Sequence, residues 1–175
     1  MNLLAISGSA RSVSTNTALL RGLASVTPPG HTLSVFDDIA NLPVFSPDLE
    51  TAPLPQPVKR FVNLIANSDG LIIASPEYIR AIPGGLKNAI DWLVSRDEII
   101  GKPIALAHAS HRGDDMLAQL RLVLSTVSTG FNADIFLRCD LMKKSPQEIS
   151  RHFEKAEARQ LAKTFVKDFI EFCGQ

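Results

Sequence analysis

Two stretches of this 175-residue chain combine residue types that could do chemistry. The first, Gly8-Ser9-Ala10-Arg11-Ser12-Val13-Ser14-Thr15-Asn16, follows an apolar run and leads into helical periodicity beginning near Asn16. The hydroxyls of Ser9, Ser12, Ser14 and Thr15 and the Asn16 amide are hydrogen-bond donors, and the Arg11 guanidinium can grip an oxyanion through two parallel bonds. A helix N-terminus adds unpaired N–H groups and the positive end of a dipole, so a phosphate suits this loop. The same residue types also cap helices and fill turns without holding a ligand. The loop is neither a Walker A sequence, which needs Gly and Lys at set positions, nor a GxGxxG fingerprint, so ATP hydrolysis and dinucleotide binding through it lose support.

The second stretch runs Ser75-Pro76-Glu77-Tyr78-Ile79-Arg80-Ala81-Ile82-Pro83-Gly84-Gly85-Leu86-Lys87-Asn88-Ala89-Ile90-Asp91-Trp92 and holds the chain's single Tyr and single Trp. An apolar, aromatic-bearing wall beside an anion site suits a flat heterocycle that carries a phosphate. The competing explanation is packing, with Tyr78 and Trp92 as core or interface aromatics. Packing is the expectation for Trp92, which shares its helix with Asn88. Other chemistry finds little support. Cys139 has Ser145 rather than an arginine six residues on, and no GxSxG elbow occurs. His108 and His111 stand three apart with no third ligand in the pattern, so no metal is expected. Cys139 and Cys173 are too few for a disulfide framework, which fits a reducing compartment and a cytoplasmic location.

Both stretches need elements to position them. Short apolar runs at Asn2–Ile6, Thr32–Phe36, Gly70–Ala74, Pro103–Ala107 and Ala133–Leu137 alternate with helical stretches in the order βαβαβαβαβα, the pattern of a parallel sheet with crossover helices. The central runs are apolar at consecutive positions, as strands covered on both faces are. Leu86, Ala89, Ile90, Leu93 and Val94 predict one helix, with Lys87 and Asp91 as an i,i+4 pair. Asp114 and Asp115 are expected to cap a helix over about Met116–Val127. Ser145, Pro146 and Glu148 open a last helix that carries Ile149, Phe153, Ala156, Phe165 and Phe169 toward the core. Seven of the eleven prolines lie between Pro28 and Pro57, which predicts an irregular loop there rather than a domain boundary. A single domain over 1–175 is expected. Both stretches then leave the same sheet edge, the carboxyl ends of the strands, where open α/β sheets bind ligands.

Eighteen Lys and Arg balance eighteen Asp and Glu. Bulk attraction to nucleic acid or to an anionic membrane therefore has no net charge to draw on. No apolar run approaches the roughly 20 residues that span a bilayer, and the start of the chain lacks the pattern of a secretory signal. The neutral total is unevenly laid out, because residues 1–36 contain Arg11 and Arg21 but no Asp or Glu. That leaves room for one small anion.

The pairing of GSARSVSTN with SPEYIRAIPGGLKNAIDWLVSR closely resembles the NADPH-dependent FMN reductase family, whose patterns read G-S-x-R-x-x-S-x-N and S-P-E-Y-N-x-x-x-P-G-x-L-K-N-A-I-D-W. Leu42-Pro43-Val44-Phe45 and Asp48-Leu49-Glu50 also resemble its middle loop. The resemblance implies a flavodoxin-like three-layer sandwich, with a five-stranded parallel sheet in the order 2-1-3-4-5 and helices on both faces. It also implies hydride transfer from NADPH to bound FMN and then on to a small-molecule acceptor, such as a flavin, quinone, azo dye or chromate. By this resemblance Ser9, Arg11, Ser14, Thr15 and Asn16 would hold the FMN phosphate, and Pro76, Glu77, Tyr78 and Ile79 would line the isoalloxazine, largely through backbone groups. The loop Ser110, His111, Arg112 and Gly113 would face the flavin, with His111 or Arg112 near its N1/O2 edge. A homodimer or homotetramer with the LKNAIDW helix at a subunit contact is implied as well. Two departures stand out: Ile79 replaces the usual Asn, and the fourth loop is not the small, Gly-rich one of many relatives. The alternative from another class is a non-enzymatic flavodoxin-type electron carrier, although such carriers are usually strongly acidic. A flavin-free α/β protein holding another phosphorylated ligand is the third.

Overall fold

The computed structural model describes residues 1–50 and 53–175. Five parallel strands form one sheet in the order β2-β1-β3-β4-β5, the order that the family resemblance implies. They are β1 (Asn2–Ser7), β2 (Thr32–Phe36), β3 (Gly70–Ala74), β4 (Ile104–His108) and β5 (Phe131–Arg138). The helices are α1 (Thr15–Ser25), α2 (Gln56–Ala66), α3 (Gly84–Asp91), α4 (Asp114–Val127), α5 (Pro146–His152) and α6 (Ala156–Cys173). Alternate residues of the central strands face opposite cores. Leu4, Ile6, Leu71, Ile73, Ile104 and Leu106 pack against α2, α3 and α4. Leu3, Ala5, Ile72, Ala74, Ala105 and Ala107 pack against α1, α5 and α6. This two-sided burial explains why the central strands read as unbroken apolar runs. From β1 the chain crosses to β2 on one side and later returns to β3 on the other. The topological switch therefore lies between β1 and β3, whose register pairs Leu3 with Gly70 and Ser7 with Ala74.

Four expectations from the sequence are corrected. The last helix is two helices: Phe153 seats its ring on Gly22 of α1, where a Cβ would stand 2.3 Å from the ring. To place it the chain leaves α5 through tightened i→i−3 bonds, Glu154 N–H to Arg151 O and Lys155 N–H to His152 O, and restarts at Ala156. The predicted helix over 86–94 begins at Gly84 and ends at Asp91, leaving Leu93 buried but Val94 64% exposed. β4 starts at Ile104, not at Pro103, which has no N–H to donate. β5 is longer than predicted and irregular in register between Ile104 and Leu106 of β4, where Asn132 Oδ1 accepts from the N–H groups of Asp134 and Ile135. Among the described residues, no helix is long and apolar enough to cross a membrane.

Candidate functional site

Parallel strands deliver their following loops to one edge, and four of these loops enclose a cleft of about 350 Å³. Thr15 and Asn16 come from the start of α1, and Ser75, Pro76 and Glu77 from the loop after β3. His108, Ser110, Arg112 and Gly113 follow from β4, and Met142 and Lys143 from the loop after β5.

The first loop is built on backbone contact. Gly8 N–H donates to Ala74 O at 2.7 Å. A Cβ at position 8 would stand 2.8 Å from both Leu86 Cδ2 and Ser75 Oγ, so only glycine lets the two loops approach this closely. Its hydroxyls shape the turn. Ser7 Oγ and Thr17 Oγ1 are 2.8 Å apart, Ser9 Oγ accepts from Arg11 N–H, and Ser14 Oγ caps α1 by accepting from Thr17 N–H. Thus Ser9 and Ser14 are buried positions of the loop rather than walls of the cleft. The first turn of α1 contains no acidic residue. Among the described residues, the N–H groups of Thr15 and Asn16 have no partner, the buried Asn16 Oδ1 has none, and Arg11 meets no carboxylate. A helix end in this state can take an anion, and the orphaned amide oxygen beside it can accept from a ligand hydroxyl or N–H.

The loop after β4 is organised in the opposite way. Gly113, at φ +100°, is the N-cap of α4, and a Cβ there would come within 2.8 Å of His108 Nε2. The buried His108 uses Nε2 to donate to Arg112 O at 2.5 Å, and Ser110 Oγ accepts from Arg112 N–H at 2.9 Å. Burial pushes the His108 pKa down, which favours the neutral ring, and its buried Nδ1 has no hydrogen-bond partner among the described residues. Asp114 and Asp115 were expected to cap this helix. They instead sit inside its first turn, Asp114 paired with Arg138 and Asp115 with Arg80 at 2.5 Å. The Arg80 bond holds the Asp115 carboxyl below its usual range. The capping carboxylate is remote in sequence: Glu77 Oε2 accepts from Met116 N–H at 3.1 Å.

Of the predicted site residues, Thr15, Asn16, Pro76, Glu77, Ser110, Arg112 and Gly113 converge on the cleft. Ser9, Arg11 and Ser14 sit behind it or on its approach. Tyr78 and Ile79 are not among the residues that line the cleft. Residues 78–81 form a two-residue hairpin, with Tyr78 and Ala81 exchanging both backbone bonds and positive φ at Ile79 (50°) and Arg80 (58°). Tyr78 is 47% exposed and Ile79 99% exposed. His111 points to Asp140 at 3.1 Å and is not part of the cleft wall. Trp92, expected to be a packing aromatic, is fully buried within the chain. Its ring meets Phe45 edge-on at 5.3 Å and its Nε1 donates to Pro43 O. Asn88 completes that clamp, accepting from Phe45 N–H and donating to Pro43 O.

Sequence reasoning missed Met142 and Lys143, the latter held at φ 63° at the lip of the cleft. The signal that could have found them is topological, since the loop after a fifth parallel strand must reach the same edge as the others. Burial raises the Cys139 and Cys173 thiols to about 11, which removes them as nucleophiles. Among the described residues, no three His, Cys, Asp or Glu side chains are grouped to hold a metal ion.

The model of the NADPH-dependent FMN reductase family matches residues 1–136. An NAD(P)H-dependent FMN reductase of Pseudomonas aeruginosa is 39% identical over 112 residues, which are 63% of this chain and 60% of that protein. A quinone reductase of Escherichia coli K12 is 32% identical over 113 residues, again 63% and 60%. The matched stretch thus spans about 60% of the length of these relatives. The solved structure of FerB from Paracoccus denitrificans, described as a flavoenzyme NAD(P)H:(acceptor) oxidoreductase, superposes with a TM-score of 0.75. It does so at 24% identity, covering 99% of this chain and 97% of that one, a likeness of fold.

Proposed function

The chain belongs to the NADPH-dependent FMN reductase family, and on that premise we propose that it is an FMN-dependent NAD(P)H oxidoreductase that passes electrons to a small-molecule acceptor such as a quinone or a flavin. The observation that carries this is the unneutralised N-terminus of α1 beside a cleft at the switch point of the sheet. The residues present fit FMN. Free Thr15 and Asn16 N–H groups and the Arg11 guanidinium suit the phosphate, and the orphaned Asn16 Oδ1 suits a hydroxyl of the chain that follows it. When bound, FMN supplies the hydride-accepting and electron-donating chemistry, and the protein supplies position and electrostatics. Pro76 and Glu77 form one wall, set by the Glu77 bond to Met116 N–H. Arg112, meeting no carboxylate among the described residues, offers a cation to negative charge developing in the cleft, while His108 fixes its backbone.

One FMN-binding unit over 1–175, a cytoplasmic setting and a homodimer or homotetramer belong to the same proposal. The test is anaerobic mixing of the FMN-loaded protein with NADPH while following flavin absorbance. The expected result is rapid bleaching, reversed by a quinone. A protein that binds FMN but does not bleach is a carrier and overturns the enzymatic reading.

A further inference from the structure

A second cleft, of about 310 Å³, runs along the outer face of α5 and is lined by Lys144, Glu148, Arg151, His152 and Lys155. It begins one residue after Lys143, which stands at the lip of the first cleft. The loop 142–144 therefore joins the two. Three of the second cleft's five side chains are cations, and its one acid, Glu148, lies near enough to Lys144 and Arg151 for them to help hold its pKa down. Among the described residues, Lys144, Arg151 and Lys155 meet no carboxylate, whereas Arg21, Arg80, Lys87 and Arg138 each do. The single acid, Glu148, is committed to the capping box of α5, where it accepts from Ser145 N–H at 2.7 Å and from Ser145 Oγ at 2.8 Å. Lys144 and Lys155 lie close enough to His152 to add to the burial that lowers its pKa, which shows that these charges converge on one spot.

We propose that this cleft receives the 2′-phosphate of NADPH, so that Lys144 and Arg151 select NADPH over NADH; the inference rests on the NAD(P)H oxidoreductase reading above. A dinucleotide with its nicotinamide in the first cleft must run out over one of its lips. One lip is α4, whose first turn carries Asp114 and Asp115. The other is Lys143, and beyond it α5 rises about 1.5 Å per residue, which sets Arg151 some 7 Å past Pro146. On the first path Asp114 and Asp115 are paired with Arg138 and Arg80 and offer a phosphomonoester dianion no free cation, whereas among the described residues Lys144, Arg151 and Lys155 on the second meet no carboxylate. Another cationic cleft, lined by Arg159, Lys163 and Lys167, lies at the C-terminal end of α1. That end is at the opposite edge of the sheet, so it cannot serve the same nucleotide. All of the proposed residues lie beyond the stretch 1–136 that the family model matches.

The test is calorimetric titration of the full chain with 2′,5′-ADP and with 5′-AMP, on the unmodified protein, on Lys144→Ala/Arg151→Ala and on Lys144→Arg/Arg151→Lys. The unmodified protein should bind 2′,5′-ADP about tenfold or more tighter than 5′-AMP, the scale of a charge-assisted hydrogen bond. The double alanine variant should lose that preference, and the charge-retaining variant should keep most of it. In steady state the ratio of KM for NADPH to KM for NADH should rise by a similar factor in the alanine variant. Equal binding of the two probes by the unmodified protein overturns the proposal, even if the alanine variant fails to fold. So does a parallel rise of both KM values. FMN titration separates the two readings: quenching of FMN fluorescence with no preference for 2′,5′-ADP sinks the phosphate site alone. A preference for 2′,5′-ADP in a protein that ignores FMN sinks the flavin reading alone.

Discussion

The two helices whose N-termini face the cleft, α1 and α4, begin in opposite electrostatic states. Three carboxylates surround the start of α4: Asp114 and Asp115 in its first turn and Glu77 on the N–H of Met116. The start of α1 has none, and the chain has no acid at all before Asp37. Each helix end presents about half a positive charge and several unpaired N–H groups. At α4 that demand is met from within the protein, and the loop before it is pinned by His108 and Ser110. At α1 no acidic residue of the first turn meets it. Proximity to a cleft is therefore a weak guide to which helix end binds an anion; the stronger guide is whether the protein has already supplied one.

The contrast can be broken most forcefully at Gly113. If the α4 loop is fixed from within, Gly113→Ala should destabilise the fold by about 3 kcal/mol, because the residue sits at φ +100° and the new Cβ would press on His108 Nε2. Urea unfolding of the ligand-free protein would show the midpoint falling with an unchanged slope. A loss below about 0.5 kcal/mol would show that this loop is adaptable rather than pinned.

Next in size is Arg11→Ala, which sharpens the other half of the contrast. Arg11 is exposed and bonds no side chain among the described residues, so the ligand-free protein should unfold at the same urea concentration. FMN affinity should fall by about 1.5–3 kcal/mol, roughly ten- to a hundredfold. Fluorescence titration checks this, and an unchanged affinity would remove Arg11 from the site.

The same contrast explains what could be read in the chain beforehand. The strands were legible because both faces of the sheet are covered, which writes burial into consecutive residues such as Leu71, Ile72 and Ile73. Residues tied to their own loop, such as Thr15 and Asn16, were legible from spacing and from the family pattern. What spacing could not carry was partnership across the fold. Glu77 caps a helix 39 residues away, and Phe153 needs the bare face of Gly22. Trp92 is the packing aromatic that was expected, but its partner, the Pro43 carbonyl, stands 49 residues away. Lys143 was missed because its loop carries no motif, only a position in the topology.

The smallest effect concerns the hairpin at Tyr78–Ala81, which belongs to neither helix end. Its central residues, Ile79 and Arg80, both have positive φ, the geometry of a turn that favours Asn and Gly. A β-branched residue is strained there, whereas Asn tolerates it. The Arg80 side chain is compensated by its bond to Asp115, and Gln119 donates to the Arg80 carbonyl. Ile79 has no such compensation and is 99% exposed. Ile79→Asn should therefore stabilise the protein by about 0.5–1 kcal/mol, a rise of roughly 1–4 °C in Tm for a chain of this size. Because the side chain leaves the cleft, FMN affinity should move less than about twofold. The two measurements separate the possible roles of the position. A higher Tm with constant affinity assigns the usual asparagine to the backbone turn; a lower Tm would mean that Ile79 packs against a partner in solution; and a marked gain in FMN affinity would return the position to the cleft.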